Sequence, residues 1–223
     1  MAKPTPDALD GPKLAPRSGR TPKQLVVLLH GLGADGNDLI GLAPAFAEVL
    51  ADAAFLSPHA PFPYDMAPFG RQWFSVSDFQ PDARLAGVRD AAPILDSFLD
   101  AILAEYRLEA GALALFGFSQ GAMMALHAGL RRAEPIAGIL SHSGLLVGED
   151  RLAQEIRSRP PVLLVHGEDD PLIPLAALPA ATAALEANGV DVVSHVCPRL
   201  GHGIDENGIA VARAFLARIF AGT

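Results

Sequence analysis

Short apolar runs alternate with longer amphipathic segments along most of this chain. Several short runs are continuous stretches of Val, Leu and Ile, which is typical of strands buried on both faces of a sheet. Strands are predicted at residues 25–29, 53–56, 112–116, 136–140, 161–165 and 191–196. Helices are predicted at residues 39–50, 84–106, 120–130, 151–157, 175–188 and 207–220. This alternation indicates an α/β fold with a mostly parallel central sheet and helices on both faces.

The first 23 residues interrupt this pattern. They contain five prolines and no apolar run, so we expect residues 1–23 to form a flexible or extended arm and residues 24–223 to form a single domain. The arm has no apolar core of the kind found in a secretory signal. No apolar run in the chain is long enough to cross a bilayer, so stable membrane insertion is not expected.

Composition narrows the classes of partner. The chain has 223 residues, 50% of them hydrophobic, which suffices for one substantial core. A net charge of −8 argues against nucleic acid as a partner. Cys197 is the single cysteine, so no internal disulfide can form, and a cytoplasmic location is predicted. We interpret Cys197 as a small strand residue and not as a reactive thiol, because nothing near it would activate it.

Polar residues follow most of the predicted strands, where the carboxyl ends of a parallel sheet meet at one edge. The sequence Gly117-Phe118-Ser119-Gln120-Gly121 lies between a predicted strand and a predicted helix. A G-x-S-x-G sequence in that context is typical of a nucleophile elbow, a tight turn that exposes the serine hydroxyl. The two glycines fit because the turn leaves no room for larger side chains.

A serine nucleophile needs a base and an orienting acid. In this kind of sheet they follow the serine in the order acid, then histidine. His202 follows the last strand between two glycines and fits the base; His142 is its strongest rival but precedes the candidate acids. For the acid, the residues favour Asp170 only slightly over Asp169.

An oxyanion hole requires two backbone N–H groups. One is expected from Gln120, the residue after the nucleophile, and the other from the glycine-rich loop at residues 30–36. That loop is not a phosphate-binding loop, because no Gly-Lys-Ser/Thr follows it. No His, Cys and Asp residues have the spacing of metal ligands, so no metal site is predicted.

Four sequence features together resemble the phospholipase/carboxylesterase family of α/β-hydrolases, which includes bacterial carboxylesterases and acyl-protein thioesterases. They are the oxyanion loop His30-Gly31-Leu32-Gly33-Ala34-Asp35-Gly36, the Phe-Ser-Gln form of the elbow, His166-Gly167 followed by Asp170 and Pro174, and Gly201-His202. The segment Arg71-Gln72-Trp73-Phe74 is also similar to the Trp-Phe stretch that borders the acyl pocket in this family. The resemblance extends from residue 25 to about residue 220.

The resemblance implies an α/β-hydrolase fold with Ser119 as nucleophile, Asp170 as acid and His202 as base. It implies that the N–H groups of Leu32 and Gln120 form the oxyanion hole. It also implies hydrolysis of small-molecule carboxylic esters, without a cofactor.

The proline-rich aromatic stretch at residues 61–74 is predicted to form a lid or wall of a hydrophobic pocket for short to medium acyl chains. Trp73 is the foremost candidate for a substrate-binding residue, followed by Leu32, Ile173 and Leu145.

Two further readings remain open at this stage. An acyl-protein thioesterase or lysophospholipase would use the same residues, and an exposed apolar patch would favour the thioesterase. A binding module without catalysis usually lacks part of the triad, whereas every part is present here. The sequence allows a homodimer, but no residue pattern demands one.

Overall fold

The computed structural model describes residues 9–78 and 80–221. Nine strands and seven α-helices lie in these ranges. The strands are β1 (Lys13–Leu14), β2 (Gln24–Leu29), β3 (Ala53–Leu56), β4 (Phe62–Pro63), β5 (Arg71–Gln72), β6 (Leu113–Phe118), β7 (Gly138–His142), β8 (Val162–Gly167) and β9 (Val192–Cys197). The helices are α1 (Gly36–Leu39), α2 (Ala43–Ala47), α3 (Pro81–Tyr106), α4 (Gln120–Gly129), α5 (Leu152–Glu155), α6 (Ala177–Ala187) and α7 (Glu206–Ile219).

Seven of the strands form one sheet in the order β1-β3-β2-β6-β7-β8-β9. All neighbours pair in parallel except β1, which runs antiparallel to β3. The predicted fold class, a mostly parallel sheet covered by helices on both faces, is therefore confirmed. The short strands β4 and β5 form a separate antiparallel hairpin outside this sheet.

The two faces of the sheet carry two separate apolar clusters. On one face, the helices α3, α4 and α6 bury side chains such as Leu95, Met124 and Leu185 against it. On the other, α2 and α7 bury Phe46 and Phe215. Strand β2 lies between β3 and β6 and is buried along its whole length, which explains why residues 25–29 are apolar without alternation.

The sequence predicted these core strands to within two or three residues, but several boundaries differ. The helix expected at residues 39–50 is broken into α1, a 3₁₀ turn at Ile40–Leu42 and α2, which begins with Pro44 in its first turn. The helix expected at residues 151–157 shortens to a 3₁₀ turn and α5. Strands β1, β4 and β5 were not predicted, because two residues carry no periodicity.

Residues 9–23, the described part of the expected flexible or extended arm, lie against the edge of the sheet. Lys13–Leu14 pairs with β3, and farther along Ser18 N–H donates to Ala51 C=O at 2.9 Å. Backbone groups of the predicted arm thus complete the edge of the sheet beside β3. Residues 1–8 lie outside the described ranges. In those ranges no helix is long and apolar enough to span a membrane.

Candidate active site

Ser119 occupies the sharp turn between β6 and α4. Its φ of 53° and ψ of −115° lie in a region of backbone conformation that residues other than glycine rarely adopt, so the turn is strained. A Cβ on Gly117 would lie 2.3 Å from Gly121 C=O, and a Cβ on Gly121 would lie 1.9 Å from Leu29 C=O. Neither position can therefore hold a side chain, and the geometry matches the predicted nucleophile elbow.

Asp170 and His202 are brought together from loops that follow β8 and β9. His202 Nδ1 donates to Asp170 Oδ2 at 2.7 Å. The other carboxylate oxygen, Oδ1, accepts from the N–H groups of Leu172 and Ile173, both at 2.9 Å. The Asp170 side chain has no exposed surface, whereas the Asp169 residue is exposed. The structure thus separates the two acids that the sequence left nearly equal.

The electrostatics of Asp170 favour a carboxylate. Burial alone would raise its pKa, but hydrogen bonds from Ile173 N–H, the His202 side chain and Leu172 N–H outweigh that effect. The net result is that the pKa of Asp170 is lowered, so the group stays charged at neutral pH. A buried carboxylate held in this way fixes the proton of His202 on Nδ1 and leaves Nε2 free as an acceptor.

The His202 ring lies beside the elbow. Its centroid is 5.0 Å from the ring centroid of Phe118, the residue before Ser119. The structure therefore groups the three predicted triad residues at the same sheet edge, as expected from strand order. Their catalytic roles stay a prediction.

The rival histidine, His142, lies beneath the elbow and not at its mouth. Its backbone carbonyl accepts from Ser119 N–H at 2.9 Å, and its ring is almost fully buried. Burial lowers the pKa of His142 to about 4, so the ring is uncharged. Packing leaves so little space that a Cβ on Gly208 would lie 2.6 Å from His142 Nε2. His142 supports the turn that carries the serine.

The loop after β2 approaches the nucleophile closely. A Cβ on Gly31 would lie 3.1 Å from the Phe118 ring and 3.4 Å from Ser119 Cβ. In the described part of the chain, the N–H groups of Leu32 and Gln120 have no hydrogen-bond acceptor. Two unpaired donors beside the serine are what an oxyanion hole requires.

The four predicted substrate-binding residues fall in different places. Leu32 is half-buried in the oxyanion loop, and Ile173 is half-buried in the loop of Asp170. Leu145 lines a cavity of about 440 Å³ between α3 and α6. Trp73 has no exposed surface, and its indole N–H donates to His30 C=O at 3.0 Å. The prediction that Trp73 lines the acyl pocket is therefore wrong: burial makes it part of the support behind the oxyanion loop.

A larger cavity lies between the stretch predicted as a pocket wall and helix α3. It measures about 620 Å³, and its aromatic walls are Phe62, Tyr64 and Phe74. The Tyr64 ring lies over Gly33, 3.4 Å from where a Cβ would sit. Phe74 C=O accepts from the side chain of Gln120 at 2.8 Å. Two wall residues of the cavity, Tyr64 and Phe74, therefore contact the segments that present Leu32 and Gln120.

Sequence reasoning missed two supporting side chains. Gln120 was chosen for its N–H group alone, yet its buried side chain links the elbow to residues 73–74. His166 precedes the acid loop, donates through Nε2 to Ile173 C=O at 2.8 Å, and places the same nitrogen 3.5 Å from Asp170 Oδ2. The one available signal was that both are polar residues within or directly after buried segments, where a polar group needs a partner.

Metal binding finds no support in the geometry of residues 9–78 and 80–221. No three His, Cys, Asp or Glu side chains come together there as a metal ion would require. Catalysis without a metal or cofactor stays a prediction.

Comparison with known proteins gives a consistent result. A phospholipase/carboxylesterase family profile matches residues 16–220. The chain is 36% identical to esterase YpfH of Escherichia coli over 194 residues, which cover 85% of this chain and 80% of that protein. It is 30% identical to acyl-protein thioesterase 1 of Schizosaccharomyces pombe, over 75% of this chain and 77% of that protein. The crystal structure of esterase PE8 superposes with a TM-score of 0.92 at 42% identity, covering 96% of this chain and all of that one.

Proposed function

Because this chain belongs to the phospholipase/carboxylesterase family of α/β-hydrolases, we propose that Ser119, His202 and Asp170 form the triad of a serine carboxylesterase. One observation carries the assignment: the buried Asp170 carboxylate accepts a 2.7 Å hydrogen bond from His202, beside a serine held in a strained turn. A hydrogen-bonded acid and base next to a partly exposed serine is the arrangement that serine hydrolysis needs.

Acylation follows from this geometry. His202 Nε2 takes the hydroxyl proton of Ser119 while Oγ attacks the ester carbonyl carbon. The carbonyl π electrons move to oxygen, and the N–H groups of Leu32 and Gln120 donate to that oxyanion. The N-terminus of α4, directly behind the serine, also favours negative charge at this place. His202 then protonates the leaving alcohol, and the acyl group remains on Ser119.

Deacylation reuses the same groups with water as the nucleophile. His202 accepts a proton from water, hydroxide attacks the acyl carbon, and the second oxyanion forms in the same hole. When it collapses, Ser119 recovers its proton from His202 and the carboxylic acid leaves. The charged Asp170 stabilises the imidazolium that forms in each half of the cycle.

We assign the acyl chain to the 620 Å³ cavity between residues 62–78 and α3. The apolar part of its walls includes Phe62, Tyr64 and Phe74 with Ala83 and Ala86, and the walls also include the carboxylates Asp65, Asp78 and Asp90. The volume is in the range of small-ligand sites, which supports a preference for short to medium acyl chains.

The first test is hydrolysis of p-nitrophenyl esters of increasing acyl length by the wild type and by Ser119→Ala. We expect clear turnover at short and medium chains and its loss in the variant. Ester hydrolysis that persists in purified Ser119→Ala would overturn the triad.

A cavity-filling variant tests the acyl site separately. Ala86→Phe places a ring in the cavity and should shift the preferred chain length towards acetate, because less space remains. Ala104→Phe is the matched control, since Ala104 is exposed on the same helix and lines none of the cavities described. An unchanged chain-length profile in Ala86→Phe would refute the assignment of the acyl chain to this cavity, but it would not bear on the triad.

An acyl-protein thioesterase is the second candidate. Met66 and Phe69 lie in the loop of the β4–β5 hairpin with exposed fractions of 66% and 75%. Exposed apolar side chains near each other in one loop are a feature expected of an enzyme that receives a lipidated protein. Release of palmitate from an S-palmitoylated peptide, reduced by Met66→Ser with Phe69→Ser, would support this reading. Equal p-nitrophenyl butyrate turnover would show that the double variant remains folded and active.

Two finer statements also stay proposals. A cytoplasmic location is supported by the single, buried Cys197, which leaves no intramolecular disulfide. A homodimer is a prediction that a sedimentation measurement tests.

A further inference from the structure

Trp73 is hydrogen-bonded to both halves of the oxyanion hole, and we propose that it is a positioning residue that fixes the distance between their donors. Its backbone N–H donates to Gln120 Oε1 at 2.8 Å. Its indole N–H donates to His30 C=O at 3.0 Å, two residues before Leu32. The inference rests on the proposed hole of Leu32 and Gln120, and it assigns to Trp73 a role other than contact with substrate.

On the elbow side, the bridge restrains Gln120 from both ends of its amide. Oε1 accepts from Trp73, and Nε2 donates to Phe74 C=O at 2.8 Å. Only 2% of Gln120 is exposed, so water does not compete for these bonds. The side chain is therefore fixed, and with it the first residue of α4, whose backbone N–H is the proposed oxyanion donor.

On the loop side, His30 is held by the bonds of its own ring. Nε2 accepts from Ala60 N–H at 2.9 Å, which requires the proton to lie on Nδ1, where it donates to Gly31 C=O at 2.7 Å. Burial lowers the pKa of His30, so the ring stays in this neutral form. His30 thus fixes the backbone up to Gly31, and the Trp73 indole ties that backbone to the elbow.

The consequence concerns the transition state more than the bound ester. An oxyanion is stabilised most when both donors are already held at hydrogen-bonding distance. Displacement of a reacting group by about 1 Å can lower the rate by about 100-fold. A neutral carbonyl oxygen depends far less on these donors. Loosening the bridge should therefore lower kcat and leave KM nearly unchanged.

Trp73→Phe tests this directly, because it removes the indole N–H and keeps an aromatic ring and the backbone N–H. We expect kcat to fall about 10- to 100-fold, with KM within about twofold of wild type. The pH profile of kcat/KM should keep its position, because the Asp170–His202 pair is untouched. Phe46→Leu is the control for lost stability: Phe46 is equally buried, but it lies in the cluster on the other face of the sheet.

A trifluoromethyl ketone reports on the hole itself. Ser119 Oγ bonds to the ketone carbon, the serine proton passes to His202, and the carbonyl oxygen becomes an oxyanion that needs both donors. We expect Trp73→Phe to weaken this inhibitor by the same factor as it lowers kcat. An inhibitor constant and a kcat like those of wild type would overturn the proposal, as would an equal loss of both in Phe46→Leu.

Gln120→Met keeps the test decisive if Trp73→Phe does not fold. It removes the amide that accepts from Trp73 while keeping a side chain of similar length. We expect the same selective loss of kcat and of ketone affinity, and a retained kcat would overturn the proposal. Where both variants fold, the double variant should lose little more kcat than either single variant, because both substitutions break the same bridge.

Failure of this inference can be told apart from failure of the proposed function. If Ser119→Ala retains esterase activity, the proposed function fails whatever the result for Trp73→Phe. If Ser119→Ala is inactive and Trp73→Phe has the kcat of wild type, the triad stands and only the role of Trp73 is refuted.

Discussion

Replacing Asp170 with asparagine would change the hydrogen-bonding pattern of the site without changing its shape. In the wild type, Oδ1 accepts from two N–H groups, those of Leu172 and Ile173, and Oδ2 accepts from His202 Nδ1. The amide of Asn has one oxygen and one NH₂ group. Its oxygen must face the two N–H donors, because NH₂ in that place would set donors against donors. The NH₂ group is then left facing His202.

That orientation forces His202 into the wrong tautomer. A donor opposite Nδ1 makes Nδ1 the acceptor, so the ring proton moves to Nε2, which can then no longer take the proton of Ser119. Loss of the acid's charge adds to this, since the imidazolium formed in the transition state would lack its buried counterion. Together these effects predict a fall in kcat of about 10,000-fold, equivalent to about 5 kcal/mol of barrier.

The assay is p-nitrophenyl butyrate hydrolysis at saturating ester, with Asp169→Asn alongside as the neighbouring control. Asp169 is exposed, and its loss should change kcat by less than about twofold. A thermal melt of both variants checks that the fold persists. If Asp170→Asn keeps more than a tenth of wild-type kcat, or if Asp169→Asn is the damaging change, the acid has been misassigned and the tautomer reasoning is wrong.

Two further predictions concern groups outside the triad. Burial lowers the pKa of both His127 and His142 to about 4, whereas in the unfolded chain these side chains bind protons below about pH 6.5. The free energy of unfolding should therefore decrease as the pH is lowered from about 6.5 towards 4, by about 2 kcal/mol per group at about pH 5. Urea unfolding at neutral pH and at about pH 5 checks this, and His127→Gln should remove its share of the difference; an identical pH dependence in that variant would contradict it. Burial, together with Asp205, raises the pKa of Cys197 to about 11, so a thiol reagent at about pH 8 should label the protein only after denaturant is added. Rapid labelling of the native protein would refute that.

The local sequence was sufficient to predict the nucleophile elbow but not to identify the residues that support it. Gly117 and Gly121 indicate the turn because it leaves no room for a Cβ at either position, and both positions lie within one five-residue motif. The choice between Asp169 and Asp170 is different, because both lie in the same loop. Asp169 N–H donates to Leu200 C=O at 2.9 Å, so part of the conformation of this loop is held by a distant residue. A contact between residues 31 positions apart cannot be recognised from the local sequence around Asp169 and Asp170.

Trp73 shows the same limit more sharply. The Trp-Phe stretch suggested a pocket wall, because it resembles the segment that borders the acyl pocket in this family. Its burial follows instead from bonds to His30 and Gln120, which are 43 and 47 positions away. The β4–β5 hairpin that positions it has two residues per strand, so no alternation reveals it. A motif can therefore identify the neighbourhood of a side chain without indicating which way it faces.

This division has a physical basis that bears on how the site can change. The nucleophile and base need particular backbone turns, which short motifs specify, whereas the oxyanion hole needs two separate loops held at a fixed distance, which only long-range bonds supply. Residues that line the cavity, such as Ala86, take part in neither requirement. Substitutions at Ala86 should alter the accepted acyl chain at little cost to kcat for esters that still fit. Substitutions at Trp73 should lower kcat for every ester alike, so comparing the two across one ester series separates specificity from preorganisation.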